Sequence, residues 1–430
     1  MTFEASVRAL FSLGNELKVV KWDLERMRIL LAALGDPHRA GRFVHVAGTN
    51  GKGSTCAMIE GALRANGLRT ALYTSPHLNS PRERIVIEGE MISEAAWVAS
   101  FEEVHGAAER LLAAEAIDTH PSFFETVTAM AFLAFARAGV EVIVLETGLG
   151  GRLDATNVAE HPEITVITPI DFDHEAFLGS GIESIAAEKA GILKAGSPAV
   201  FAAQRPEALR VLENRALELD IAVQHSSAWR VEDLVCGRFG SRFTLVADEA
   251  IPMECPLAGM HQVENARTAV VALARMDVPP AAIRAGIAGV RWPGRLERVA
   301  ENPDIVLDGA HNPAGARALA GYIREFFADE PVRLVFGAMR DKAVEEVTNT
   351  LFPLAAEIIL TAPNQPRALH PAVLAEMSAE MAGEMSVSVA GSVREAMAML
   401  AEMNARAPMT TFVTGSLFLV GEARAWLTGF

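Results

Sequence analysis

Cysteine is scarce in this chain: Cys56, Cys236 and Cys255 are the only three in 430 residues, and they lie far apart. A dispersed, odd-numbered set makes neither a disulfide framework nor a zinc pattern. Clustered positive charge is missing as well. No block of five or six Lys or Arg occurs and the formal net charge is −16, which argues against a nucleic-acid partner, because affinity for phosphate backbones rests on such clusters. No apolar run approaches the roughly 18 residues that a membrane helix needs. The N-terminal stretch MTFEASVRALFSLGNELK lacks an uninterrupted apolar core and a small-residue cleavage site, so no signal peptide is read there. The expectation is a cytoplasmic protein, acting as a monomer, without membrane or nucleic-acid partners.

What is present is apolar and alternating. Half the residues are hydrophobic, enough for a large core, and the length predicts two or three domains. Strand-like runs at 42–48, 69–75, 140–147, 163–170 and 197–202 alternate with helical patterns such as 53–66 and 122–138. That alternation is the mark of an α/β fold with a mainly parallel sheet. Residues 221–256 differ, and their short β-rich pieces predict a small antiparallel element or sheet edge. Helical spacing returns over 261–276. A second alternation follows, with strands expected at 304–310, 331–339, 357–363, 387–391 and 410–415. Pro293-Gly294 reads as a linker, so the expected division is 1–294 and 295–430, the latter a smaller Rossmann-like α/β domain.

Four stretches carry chemistry. The first, VHVAGTNGKGST at 44–55, runs from a strand through glycines into a helix. A standard phosphate loop has its hydroxyl residue directly after the lysine, whereas here Gly53 intervenes between Lys52 and Ser54. Backbone N–H groups and the positive end of a helix dipole, about half a unit charge, still converge there. A glycine turn bearing a surface lysine is the plainer alternative. In the second, VIVLETGLGGRLDATN at 142–157, Glu146 ends a buried strand, where α/β proteins place ligands. A carboxylate there needs a compensating cation, either nucleotide-bound Mg²⁺ or an ion pair with Arg152. The third, PIDFDHEAFLG at 169–179, puts Asp173 and His174 at the same sheet edge, with a structural histidine as the alternative. In the fourth, GIESIAAEKAGILK, Lys189 shares a helical face with Ile182, Ile185 and Ala186, while Glu183 and Glu188 point elsewhere. Burial there would lower its pKa and let a neutral amine take up CO₂ as a carbamate; snorkelling to solvent is the commoner outcome.

Together these stretches resemble the folylpolyglutamate synthase family, including its bifunctional bacterial form that is also a dihydrofolate synthase, within the Mur-ligase superfamily. The resemblance runs through SPHL (75–78), RERI (82–85), FFE (123–125), ETGLGGRLDATN (146–157), EKAGILK (188–194), HQVENA (261–266), WPGRLE (292–297), DGAHNP (308–313), DK (341–342) and GSLFLVG (415–421). In that family the late serine belongs to the phosphate loop. Phe418 and Ser180 depart from it, standing where tyrosine and threonine are frequent.

The resemblance implies an ATP-dependent ligase joining L-glutamate to dihydropteroate, or to reduced folates and their glutamate chains, through an acyl phosphate. It implies that Lys52, His174 and Lys189 are catalytic, Lys189 as a carbamate. It places ATP against Asn50, Gly51, Lys52, Gly53, Ser54, Asn265, Arg295, Asp308 and His311, and Mg²⁺ against Ser54, Ser75, Glu146 and His174. The pterin is expected at Ser122, Phe123, Phe124, Glu125, Leu153, Asp154 and Ala155. A cell-wall precursor ligase is the nearest competing reading. A P-loop kinase or other NTPase would explain the loop but neither the second α/β unit nor the lysine at 189.

Overall fold

The computed structural model describes residues 1–14, 23–340, 343–380 and 385–429. Asp341 and Lys342, quoted above, lie outside them. The strands in chain order are β1 (Arg42–Ala47), β2 (Thr70–Tyr73), β3 (Ile85–Ile87), β4 (Glu90–Met91), β5 (Val142–Glu146), β6 (Ile164–Ile167), β7 (Ala199–Phe201) and β8 (Val223–His225). They form one sheet in the order β4-β3-β2-β5-β1-β6-β7-β8. Pairing is parallel from β2 to β8, and only the β2–β3–β4 edge is antiparallel. The central strands are buried and mostly apolar because helices cover both faces, as parallel strands require.

One face carries the helix Lys52–Ala65, sandwiched between the sheet and the helices Met260–Arg275 and Pro280–Ala288. The other carries Glu94–Ala113 and Phe123–Ala138. Phe123–Ala138 is almost wholly buried; it starts on a Ser122–Glu125 capping box and stops at Gly139 in the left-handed conformation.

The region 221–256 divides in a way its composition does not reveal. β8 adds to the edge of the large sheet in parallel, while β9 (Arg230–Gly237), β10 (Gly240–Val246) and β11 (Ala250–Cys255) form a separate antiparallel sheet. The alternating burial of β11 is that of a sheet with one face on the core.

A third sheet contains β12 (Glu297–Ala300), β13 (Ile305–Leu307), β14 (Val332–Phe336), β15 (Glu357–Leu360), β16 (Ser386–Val389) and β17 (Thr410–Thr414). Its order is β12-β13-β17-β14-β15-β16, parallel except for β12. The five alternating strands expected after residue 295 are therefore all present; β12 is additional. Among the described residues no helix is long and apolar enough to cross a membrane.

In the large sheet β1 lies between β5 and β6. Chains leaving a parallel sheet on opposite sides of such a strand open a crevice at its carboxyl edge. Register sets Glu146 level with Val46, and Ile167 level with Ala47. The second, third and first chemical stretches of the sequence thus emerge at one edge.

Candidate active site

A cavity of about 590 Å³ opens at that edge and runs under the loops of the third sheet. Its floor is the glycine loop. Gly51 caps the helix Lys52–Ala65 with φ +83°, and a Cβ there would meet the Asn265 side chain at 2.2 Å. Only glycine satisfies both conditions. The loop is anchored from below: Thr49 and Asn50 donate backbone N–H groups to Pro169 O at 3.0 and 3.2 Å, and Thr49 Oγ1 donates to Asp171 O at 2.9 Å. Lys52 Nζ donates to Thr49 O at 3.1 Å and lies 4.0 Å from Glu146 Oε1. Ser54 Oγ accepts from Gln262 Nε2 at 3.3 Å, and Gln262 in turn accepts from Asn265.

Glu146 is buried and accepts the Ser75 N–H at 3.1 Å. Burial raises its pKa, and Lys52 only partly offsets this. The alternative ion pair with Arg152 is not made; Arg152 pairs with Glu188 at 2.9 Å. The second face of the glycine run is closed by Asp154, whose carboxylate accepts N–H groups of Gly148 and Leu149 at 2.8 and 2.9 Å and both the N–H and hydroxyl of Thr156. Its pKa rises through burial against those bonds.

Lys189 does not snorkel. It is only 5% exposed, packed with Ile182, Ile185 and Ala186, and its Nζ donates to Gly48 O at 2.8 Å. Burial, with the nearby Lys52 charge, lowers its pKa from 10.5 to about 7, against the pull of Asp173 and Asp154.

The third sheet supplies the opposite wall. Asp308 accepts N–H groups of Leu296 and Ala310, both at 3.0 Å, and burial raises its pKa. Arg295, half-buried, donates to Gly294 O. Asn312 caps the helix Pro313–Phe326 through its side-chain oxygen, while its Nδ2 donates to Asn50 Oδ1 and Asp173 Oδ2, both at 3.1 Å. His311 Nε2 is 3.5 Å from Asp173 Oδ2. Further out, Asp171 pairs with both Arg205 and Arg317.

Every sequence-derived site residue lines this cavity except Phe123. Phe123 is 1% exposed, in the core behind the wall, with the Arg84 guanidinium over its ring at 5.1 Å. Its neighbour Phe124 faces inward, pressed so close to Gly148 that a Cβ there would lie 2.5 Å from the ring. Glu125 is held by a bidentate contact from Arg26 at 2.9 Å. The sequence reading missed Arg26, Gln262 and Asn312. Asn312 alone had a local signal, an asparagine followed by proline at a helix start. Phe418, noted only as a departure, also lines the cavity, whereas Ser180 is exposed.

Comparison with known proteins agrees with this geometry. The model of the Mur ligase middle domain matches residues 46–273, and that of the Mur ligase glutamate ligase domain matches 294–417. A dihydrofolate synthase/folylpolyglutamate synthase of Bacillus subtilis is 38% identical over 365 residues, covering 81% of this chain and 83% of the relative. A probable bifunctional folylpolyglutamate synthase/dihydropteroate synthase of Haloferax volcanii is 37% identical over 442 residues. That match takes in 100% of this chain but 51% of the relative, so the chain spans about half its length. The folylpolyglutamate synthase of Mycobacterium tuberculosis, solved with ADP and AMPPCP, superposes with a TM-score of 0.91 at 36% identity, covering 99% of both chains. Escherichia coli FolC, solved with DHPP and ADP, superposes with a TM-score of 0.86 at 30% identity, covering 100% of this chain and 98% of that one.

The two matched Mur ligase domains, with these relatives, make the chain an ATP-dependent ligase that adds glutamate. The chain belongs to the Mur ligase family, within its folylpolyglutamate synthase/dihydrofolate synthase branch.

Proposed function

We propose that this chain uses ATP to join the α-amino group of L-glutamate to the carboxylate of dihydropteroate, and to the terminal carboxylate of reduced folates. One observation carries this reading. Lys52, Glu146 and Lys189 line the same cavity as Phe124, Leu153 and Ala155. Phosphate chemistry and a flat apolar substrate are thereby brought together.

A carboxylate does not react with an amine at neutral pH because its leaving group is an oxide ion. Transfer of the ATP γ-phosphoryl group makes an acyl phosphate, from which the glutamate amine displaces phosphate. Catalysis of this kind is mostly positioning and charge stabilisation. Lys52 and the backbone N–H groups of 51–54 would hold the β- and γ-phosphates, with Asn50, Asn265, Arg295, Asp308 and His311 holding the rest of the nucleotide. The loops of the third sheet, tied to the phosphate loop through Asn312, would exclude water from the intermediate.

The donor set suits Mg²⁺. Glu146 is a carboxylate whose pKa burial raises despite Lys52 nearby, and Ser54, Ser75 and His174 line the same cavity. Bound there, Mg²⁺ would neutralise charge on the transferring phosphoryl group. Lys189, with a pKa near 7, is poised to add to CO₂, releasing a proton and leaving a carbamate. An anion at that place would attract the metal, where an ammonium repels it.

Three free cysteines, two of them buried, fit the cytoplasm. Parallel assays of glutamate addition to dihydropteroate and to a reduced folate monoglutamate test both activities; turnover of only the second restricts the proposal to folylpolyglutamate synthesis. Lys189→Arg tests the carbamate, since arginine keeps a cation but cannot take up CO₂. An arginine variant near the wild-type rate would sink it.

A further inference from the structure

Away from the cavity, His105, Glu109 and His120 each bring one ligand atom within 4.8 Å of the others. His105 and Glu109 stand one turn apart on the helix Glu94–Ala113, the spacing that sets two side chains on one face. His120 arrives from the loop that follows. His120 Nε2 lies 3.2 Å from His105 Nδ1 and 3.6 Å from Glu109 Oε1. Bonds of about 2.0–2.1 Å from a tetrahedral zinc ion separate its ligand atoms by about 3.3 Å. These two edges are close to that length, and the third side is longer, with His105 Nε2 3.9 Å from Glu109 Oε1.

The two rings are also held in place. His105 stacks on the buried Phe101, centroids 5.3 Å apart and planes 9° apart. His120 Nδ1 lies 3.0 Å from Pro121 O. A carbonyl only accepts, so Nδ1 carries the proton and Nε2 turns its lone pair toward His105 and Glu109. A backbone carbonyl fixing the far nitrogen of an imidazole is the usual outer support of a metal-bound histidine. Glu109 is the most exposed of the three, its side chain 58% accessible, which leaves that side open to water as a fourth ligand.

We propose that His105, Glu109 and His120 form a binding site for a divalent transition metal of the zinc type. Two imidazoles and one carboxylate favour Zn²⁺, Ni²⁺ or Cu²⁺ over Mg²⁺, which prefers oxygen, so the site is chemically separate from the one at Glu146. Its position gives it a consequence. Pro121 precedes Ser122, the cap of the helix that carries Phe124 and Glu125 to the cavity wall. A metal here fastens the 114–121 loop to the helix Glu94–Ala113, next to the helix start that brings Phe124 and Glu125 to the cavity.

The test is calorimetric titration of the full chain with zinc chloride, without nucleotide and under excess Mg²⁺, with Co²⁺ absorption reporting coordination geometry. Wild type is expected to bind one equivalent. Glu109→Gln, at an exposed position, and His105→Gln should each weaken binding by about a hundredfold or more, since loss even of an outer-shell partner costs ten- to a hundredfold. Zinc should also slow hydrogen exchange over 114–121. Variants that bind zinc as tightly as wild type, or a wild type that binds none, overturn the site. Unchanged exchange in that loop overturns the fastening.

Discussion

Replacing Lys189 by methionine should make the protein more stable and inactive, and the gain should vanish with rising pH. An ordinary lysine titrates at 10.5, and burial brings this one to about 7. At about 1.36 kcal/mol for each pH unit, that gap costs the folded state about 5 kcal/mol at any pH below 7. Methionine has similar volume and no charge to desolvate. It forfeits the bond to Gly48 O, worth about 1.5–3 kcal/mol for a charged donor, so the net gain near pH 6.5 is about 2–3.5 kcal/mol. The sign follows from proton binding. Between pH 7 and 10.5 the unfolded lysine is protonated and the folded one is not, so wild-type stability rises with pH there. By pH 10 the advantage of methionine should have fallen to about zero. Urea unfolding midpoints of both proteins at pH 6.5 and pH 10 measure this, in CO₂-free buffer so that no carbamate masks the charge. A methionine variant less stable than wild type at pH 6.5, or a difference that does not shrink with pH, would refute the reasoning.

Other expectations follow from the same geometry. Lys52→Ala removes the cation of the phosphate loop and should lower kcat/KM about a hundred- to a thousandfold for every pterin substrate, with little change in the circular dichroism spectrum. Glu146→Gln should raise the Mg²⁺ concentration for half-maximal rate by about tenfold or more, read from metal titrations of the steady-state rate. Gly148→Ala drives a methyl group to 2.5 Å from the Phe124 ring. Displacing that ring at a cost of 1–3 kcal/mol should raise the pterin KM about tenfold while leaving the KM for ATP unchanged.

The parts of this protein that could be read in advance are those set by neighbours in sequence. A strand running through glycines into a helix is a local pattern, and it located the loop at 48–54. Glu146 ends a five-residue apolar strand, so its place at the sheet edge follows from periodicity alone. Contacts between distant segments could not be read. Arg26 meets Glu125 across 99 residues, and nothing local to either marks the pair. Asn312 reaches Asn50 across 262 residues, and only the packed sheets bring them together. For Lys189 the helical face was legible but its fate was not. The Gly48 carbonyl, 141 residues away, holds the amine inside. Phe123 shows the reverse error: adjacent to Phe124 in sequence, it points into the core because successive helical residues face directions about 100° apart.

The most direct measurement is release of ADP in the presence of dihydropteroate, Mg²⁺ and ATP, with and without L-glutamate, together with the mass of the product. ADP formation should depend on both glutamate and the pterin, with one glutamate added for each ATP consumed, and both signals should be lost in Lys52→Ala. ADP release indifferent to glutamate, or a pterin substrate recovered unchanged in mass with a reduced folate tried in its place as well, would contradict the proposed function.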